Sequence, residues 1–357
     1  MTVAIILVNW NGWEDTIECL ESVFRLDYHH YRVIVVDNAS ANNSLAFIKE
    51  WAEGKRAVNI DPNNPLSRLS SPPLPKPVPY VELTREAAER GDVAAVGNVP
   101  LVLIQSGENL GFAGGNNIGL RLSLRMPETE YAWLLNNDTV VEPGALSALV
   151  KRSRAVENCG IVGSTLLFYS DPDTVQALGG ATFNKWRAKA KHIGALSKNR
   201  ELSISELDEI ERTTAYPIGA SMLVGTAFLR DVGLMEESYF LYYEELDWVC
   251  RGLPHYRAAY AADSLVYHKV GKSAGDESPM SWHFLCRSRL LFMKRHYSQL
   301  LPVLYAVTVW ELFKALIKGR KAEQRAHIAV LRNPEAWPSG AYRPSSLCPP
   351  LLEKQCE

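Results

Sequence analysis

Three stretches of this chain, VAIILVNW, YRVIVVDNAS and YAWLLNND, each hold an apolar run that leads into asparagine or aspartate, and the run in VAIILVNW is rich in β-branched residues. A run without polar alternation has to be buried on both faces, which a strand achieves inside a parallel sheet covered by helices. The intervening segments supply those helices. GWEDTIECLESVFRL carries Ile17, Leu20, Val23 and Phe24 at helical spacing, and NNSLAFIKEWAE reads as a second helix. PLVLIQ (Pro100 to Gln105), a helix from about Ala113 to Leu124, the strand YAWLLNND and a helix beginning near Pro143 continue the alternation. Sheets of this kind bind ligands at the carboxyl ends of their strands. That rule gathers Asn9, Asp37 and Asp138 on one edge.

At 357 residues the chain is long enough for one large or two modest domains. The pattern predicts a core domain over 1–280, interrupted at about 55–99 by an insertion between a helix and a strand. The proline-rich part of that insertion, DPNNPLSRLSSPPLPKPVPY, predicts an extended surface excursion. After Cys159 the pattern changes: GIVGSTLLFYS and YPIGASMLVGTAFLRDVG read as strands punctuated by glycine. YFLYYEELDWVCR then reads as an aromatic lead-in to an acidic helix start. From about Ser281 to Arg332 the chain reads as helix, so 281–357 is expected to be a helical extension with an irregular tail.

The formal net charge of −2 argues against a general nucleic-acid binder. Cys19, Cys159, Cys250, Cys286, Cys348 and Cys356 have no metal-finger or C-x-x-C spacing, as expected of reduced thiols in a cytoplasmic protein. The N-terminal MTVAIILVNWNG lacks the basic region and cleavage site of a signal peptide. LLPVLYAVTVWELFKALIKG is interrupted by Glu311 and Lys314, which suits a membrane surface better than a membrane span. With the basic residues from Arg287 to Arg332, it predicts peripheral contact with an anionic inner leaflet. Packing on the core domain, or on a homodimer partner, accounts for the same pattern.

Six features carry possible chemistry. Asn136 and Asp138 are oxygen-bearing side chains one residue apart at a strand end, where they can meet a hard divalent cation, Mg2+ or Mn2+, completed by a substrate diphosphate. A turn or helix cap explains the same residues. Asp37 suits a ribose hydroxyl or a base N–H, or again a cap. GENLGFAGGNNIG opens a helix with backbone N–H groups suited to an anion, although it fits neither the Walker nor the dinucleotide pattern. Glu244, Glu245 and Asp247 sit among aromatics, where partial desolvation makes a general base; a solvated helix N-terminus is the plainer reading. His268 ends an apolar run and is a candidate metal or diphosphate ligand. Arg287 and Arg289 are candidates for phosphate or acceptor, or a solvated basic face.

The order of these stretches is more specific than any one of them. VNWNG, VVDNAS, ENLGFAGGNNIG, LLNNDTVVEPG, GASMLVGTAFLRDVGLMEESYFLYYEELDWVCR, VYHKVGKS and RSRLLFMKRHY together span roughly 3–297. In this order they resemble the family 2 inverting glycosyltransferases of the GT-A fold, in particular the bacterial rhamnosyltransferase-like branch. The resemblance implies an α/β fold with a mostly parallel central sheet flanked by helices. One half would be Rossmann-like and bind nucleotide, the other would bind acceptor, and a C-terminal helical extension would follow. It implies that Asn9, Asp37, Asn116, Asn117 and Asn136 hold the donor nucleotide and that Asp138 and His268 hold the metal. Glu245 would be the catalytic base, where the family pattern has Asp, with Asp247 as a supporting acid. The expected reaction moves a sugar, rhamnose in that branch, from a dTDP- or UDP-sugar to a glycan or lipid-linked hydroxyl in cell-surface polysaccharide synthesis. Two other readings stand beside it. A sugar-phosphate nucleotidyltransferase would want a glycine- and arginine-rich loop that VNWNGWEDT lacks. A non-catalytic sugar-nucleotide-binding protein is compatible with Asn136 and Glu245 in place of Asp.

Overall fold

The computed structural model describes residues 2–58, 60–269 and 278–333, together with Trp337. Its first half follows the predicted alternation. In order come β1 (Thr2–Asn9), α1 (Trp13–Val23), β2 (Tyr31–Asp37), α2 (Ser44–Ala52), β3 (Tyr80–Thr84), α3 (Arg85–Arg90) and α4 (Val93–Val96). They are followed by β4 (Leu101–Gln105), α5 (Gly111–Arg125), β5 (Thr129–Leu135), β6 (Thr139–Val141) and α6 (Ala145–Ala155). The strands β3, β4, β2, β1 and β5 lie side by side in that order, all parallel. The unbroken apolar runs are explained by burial on both faces. Val3, Ile5 and Leu7 of β1 pack against Ile17, Leu20, Ile48, Trp51 and Leu146 of α1, α2 and α6. Ala4 and Ile6 pack on the other face against Ile118 and Leu122 of α5.

The second half is β7 (Cys159–Phe168), β8 (Asp171–Leu178), β9 (Gly180–Asn184), β10 (Lys189–His192), α7 (Ile204–Thr213), β11 (Tyr216–Pro217), β12 (Ser221–Gly225), α8 (Thr226–Val232), α9 (Glu244–Gly252) and β13 (Arg257–His268). The main sheet continues from β5 through antiparallel β12 to β7, β13 and β6, with β8 also paired to β7. β9, β10 and β11 form a small antiparallel sheet beside it. The C-terminal extension is α10 (Pro279–His296), α11 (Leu301–Ile317) and α12 (Lys321–Arg332). Ser298–Ile317, with mean hydropathy 1.7, is long and apolar enough to cross a membrane by length and composition alone.

Two expectations need correction. The second part of YPIGASMLVGTAFLRDVG is helix α8, because Thr226 to Val232 presents Phe228 and Leu229 to the core at helical spacing. The insertion at 55–99 is not a mere excursion. Its β3 is an edge strand of the main sheet, and its proline-rich part is tied to the body. Glu21, fully buried, accepts the Leu74 backbone N–H at 2.8 Å and the Trp51 indole N–H at 2.8 Å, while Lys76 lies over the Trp51 ring at 3.3 Å. Among the described residues Cys19, Cys159, Cys250 and Cys286 are free thiols. Cys348, Cys356, the end of VYHKVGKS and nearly all of the expected tail lie outside the described residues.

Candidate active site

A cavity of about 1500 Å³ opens at the carboxyl edge of the parallel strands and runs toward the C-terminal helices. Its floor is the end of β5. Asn136 is held there by its backbone N–H donating to Ala220 O at 3.0 Å, and its carbonyl accepts from the Thr139 hydroxyl at 2.7 Å. Asn136, Asn137 and Asp138 all line the cavity, and the Asn137 amide donates inward to Thr16 Oγ1 at 2.9 Å. His268, the last residue of β13, arrives beside them. Its Nε2 is 3.2 Å from Asp138 Oδ1 and 3.4 Å from Asn136 Nδ2, and its Nδ1 is 3.0 Å from Gln176 Oε1. Gln176 orients the ring through Nδ1, so Nε2 is the nitrogen that faces the Asp138 carboxylate. A polar partner on one ring nitrogen is what orients an imidazole whose other nitrogen binds a metal. One carboxylate oxygen, one imidazole nitrogen and a neighbouring amide therefore fit a divalent cation that also takes substrate oxygens. Among the described residues no three His, Cys, Asp or Glu side chains converge as a complete protein cage.

The opposite wall carries the acidic helix start. Glu244 and Glu245 open α9 after a strained turn in which Phe240, Tyr242 and Tyr243 all have positive φ, at 64°, 68° and 73°. Such backbone costs about 1–3 kcal/mol per residue and persists only where its surroundings over-determine it. Here the Ser288 hydroxyl bonds Tyr239 O and Leu241 O, and the Tyr243 hydroxyl donates to Ala188 O at 2.6 Å. Glu245 faces the cavity, and its Oε1 accepts the Gly219 N–H at 3.2 Å. A Cβ at Gly219 would stand 2.4 Å from that oxygen, so the close approach requires glycine. Burial raises the Glu245 carboxyl above its ordinary value, and the N–H groups of Glu245 and Gly219 draw part of that back. Glu244 is 1% exposed, and its Oε2 has no hydrogen-bond partner. Burial first, and the Glu245 charge second, push it well above the carboxylate range. Burial and the neighbouring charge thus favour the proton on Glu244 over Glu245, which its contact with the Gly219 N–H makes the more readily ionised of the two.

Other expected site residues are placed differently. Asn9 and Asp37 are brought together, but they face each other: Asn9 Nδ2 donates to Asp37 Oδ2 at 2.8 Å, and Asn9 Oδ1 accepts from Thr16 Oγ1 at 2.9 Å. Both are buried, outside the cavity lining, and bonded across the ends of β1 and β2. Asn38, the residue after Asp37, does reach the cavity and accepts the Leu110 N–H at 3.0 Å. Asn116 lines the cavity, but Asn117 lies on another side of α5, bonding Met235 O at 2.9 Å and Glu237 Oε1 at 2.8 Å. One helical step of about 100° separates their directions, which the pair's adjacency in sequence conceals.

Asp247 is fully buried and turned away from the cavity. It accepts from Arg251 Nε at 2.8 Å, Arg295 Nη1 at 3.2 Å and the Tyr239 hydroxyl at 3.2 Å, with His296 Nε2 at 2.8 Å. It joins α9 to α10 and is not a second acid at the base. Arg287 donates to Ser238 O at 2.7 Å and does not line the cavity, whereas Arg289 does line it, its guanidinium paired there with Glu311 at 2.8 Å. Gln176 and Gly219 are site residues without a sequence signal of their own; Gln176 is one polar side chain in a strand, and Gly219 one glycine among several.

With this geometry in place, comparison with other proteins is informative. Residues 4–64 match the family model described as Glycosyl transferase family 2. The low-salt glycan biosynthesis hexosyltransferase Agl10 of Haloferax volcanii is 24% identical over 148 residues, which is 42% of this chain and 45% of that protein. An uncharacterized protein of Mycobacterium tuberculosis is 39% identical over 88 residues, 23% of this chain and 32% of its own length. The chain thus spans less than half of each of these relatives. Among solved structures, GalNAc-T7 with UDP, GalNAc and Mn2+ superposes over 87% of this chain and 51% of that one, with a TM-score of 0.56 at 12% identity. The chain is accordingly built on the GT-A fold that GalNAc-T7 shares, and over residues 4–64 it carries the sequence pattern of glycosyl transferase family 2.

Proposed function

We propose that this cavity is the active site of an inverting glycosyltransferase that uses a nucleoside diphosphate sugar as donor. The observation that carries the reading is the meeting, across one cavity, of the Glu245 carboxyl with Asp138 and His268 Nε2 at the sheet edge. It is supported by the family 2 pattern in residues 4–64 and by a fold shared with a protein solved with UDP, GalNAc and Mn2+. Glu245 accepts the proton of an acceptor hydroxyl, whose oxygen bonds to the anomeric carbon on the face opposite the leaving group. The bond from that carbon to the diphosphate oxygen breaks, the electron pair leaves with the nucleoside diphosphate, and the configuration inverts. Asp138 and His268, with Asn136 beside them, would hold a divalent ion, Mg2+ or Mn2+, whose charge stabilises the departing diphosphate. Gly219 keeps Glu245 aimed, and Asn38 and Asn116 line the nucleotide end.

Rhamnose is the sugar that the branch resemblance favours, a dTDP- or UDP-sugar the donor, and a glycan or lipid-linked hydroxyl the acceptor, at the cytoplasmic side of cell-surface polysaccharide synthesis. Incubation with a panel of nucleotide sugars and Mn2+, reading nucleoside diphosphate release, tests this. Release from one donor, lost in Glu245→Gln, supports the proposal; no release from any donor, with or without candidate acceptors, counts against it.

A further inference from the structure

Helix α11 is packed inside out. Its covered stripe is Leu304, Thr308, Glu311 and Ala315, each 5% exposed or less. Two of these four are polar, and they are satisfied inside: Arg289 donates to Glu311 Oε2 at 2.8 Å and to Thr308 Oγ1 at 3.0 Å. The opposite side carries Val309, Trp310, Phe313, Leu316 and Ile317, each 50–70% exposed. Trp310 and Phe313 stack with ring centres 5.6 Å apart, and Lys314 Nζ lies 6.0 Å over the Trp310 ring. A helix that hides its polar residues and presents tryptophan, phenylalanine and isoleucine is built for an apolar surface outside the protein.

The charge around this face selects the surface. Lys314, Lys318, Arg320 and Lys321 cluster at the carboxyl end of the helix, and the one acid of α11, Glu311, is buried. Among the described residues Lys314, Lys318 and Lys321 have no ion pair. A second copy of the same face would bring more lysine and no carboxylate. A bilayer with anionic headgroups supplies both the apolar layer and the negative rim, with tryptophan at the boundary.

We propose that α11 seats this protein on an anionic lipid bilayer, lying in the headgroup region with Trp310, Phe313 and Ile317 inserted and the lysine cluster on the lipid phosphates. Lys314, Ala315 and Lys318 of the same helix line the cavity that holds Glu245. The seat thus puts the cavity mouth at the membrane, and the acceptor is lipid-borne. That last clause rests on the transfer reading; the seat does not.

Flotation of the full chain with vesicles of phosphatidylglycerol and phosphatidylcholine, against phosphatidylcholine alone, tests it. Recovery with the anionic vesicles, reduced by added salt, is expected. Trp310→Ser and Phe313→Ser are each expected to weaken vesicle affinity about tenfold, with melting temperature unchanged because both side chains already face solvent. Failure of the wild-type chain to float with anionic vesicles, or unchanged recovery in both variants, overturns the seat. So does a concentration-dependent dimer that Trp310→Ser dissolves in the absence of vesicle binding. Flotation without donor turnover would leave the seat standing and remove the transfer reading alone.

Discussion

Replacing Asp247 by Asn separates a structural carboxylate from a catalytic one. In the structure its two oxygens collect Arg251, Arg295, His296 and the Tyr239 hydroxyl in a site closed to solvent. Asn keeps the shape and removes the charge. Taking one member from a buried charge cluster costs about 3–5 kcal/mol. The lower end applies here, because Arg251 and Arg295 are 26% and 41% exposed and can turn to water. With an unfolding entropy of about 2.1 cal/mol/K per residue over 357 residues, about 3 kcal/mol lowers the melting temperature by about 4 °C. The effect has a pH signature. Burial opposes ionisation of Asp247, but its hydrogen bonds to His296 and Arg251 and the charges of Arg251 and Arg295 outweigh that and hold the carboxyl below its usual value. A depressed carboxylate gives stability that is full above the unfolded value, about 3.9 for Asp, and is lost as pH falls through the folded value. Calorimetric melts of both proteins should differ most near neutral pH and converge below about pH 4. An Asp247→Asn protein that melts with wild type but has lost all transfer would refute this reasoning and return Asp247 to the chemistry.

The remaining predictions concern the cavity. Glu245→Gln lowers kcat by about 10²–10⁴-fold, the usual worth of a general base. Glu244→Gln keeps most of it, because a neutral amide replaces a neutral acid; the opposite pattern in kcat would exchange the two roles. The rate rises with pH as Glu245 loses its proton, and the midpoint of that limb lies above the ordinary carboxylate value, in the raised direction set by burial; a midpoint at or below that value would contradict the buried setting. Gly219→Ala puts a Cβ 2.4 Å from Glu245 Oε1 and 2.9 Å from the Phe112 ring, so kcat falls while the melting temperature changes little; wild-type kcat would show that the carboxylate does not depend on that N–H. Gln176→Leu frees the His268 ring and weakens Mn2+ binding about 10- to 100-fold by titration; unchanged binding would remove His268 or its orienting partner from the site.

The parallel half was legible because its signal is strong and local. VAIILVNW and VIVVD cannot be placed anywhere but between two layers, and the residues that end them fall on one edge by topology. The cavity-facing start of α9 was legible for the same reason: carboxylates among aromatics mark a helix start at a partly dry wall. Direction was not legible. Asn9, Asp37 and Asn117 were assigned to the ligand from their positions, yet each spends its hydrogen bonds inside the protein, a matter of rotamers and of which neighbours the fold supplies. Asp247 and Arg289 look like site charges in sequence, and they are buried partners of residues 49 and 22 positions away. β3 was hidden in a proline-rich stretch because its pairing with β4 is a tertiary event, and Gln176 reaches His268 across 92 residues of chain.

The most direct test is calorimetric titration of a nucleoside diphosphate in the presence of Mn2+ into the wild-type chain and into Asp138→Ala. The account predicts Mn2+-dependent binding to wild type, with affinity at least about 100-fold weaker in the variant, the loss expected when a charged ligand of a bridged diphosphate is removed. Equal affinity for both proteins, or binding indifferent to Mn2+, would place the nucleotide elsewhere and contradict it.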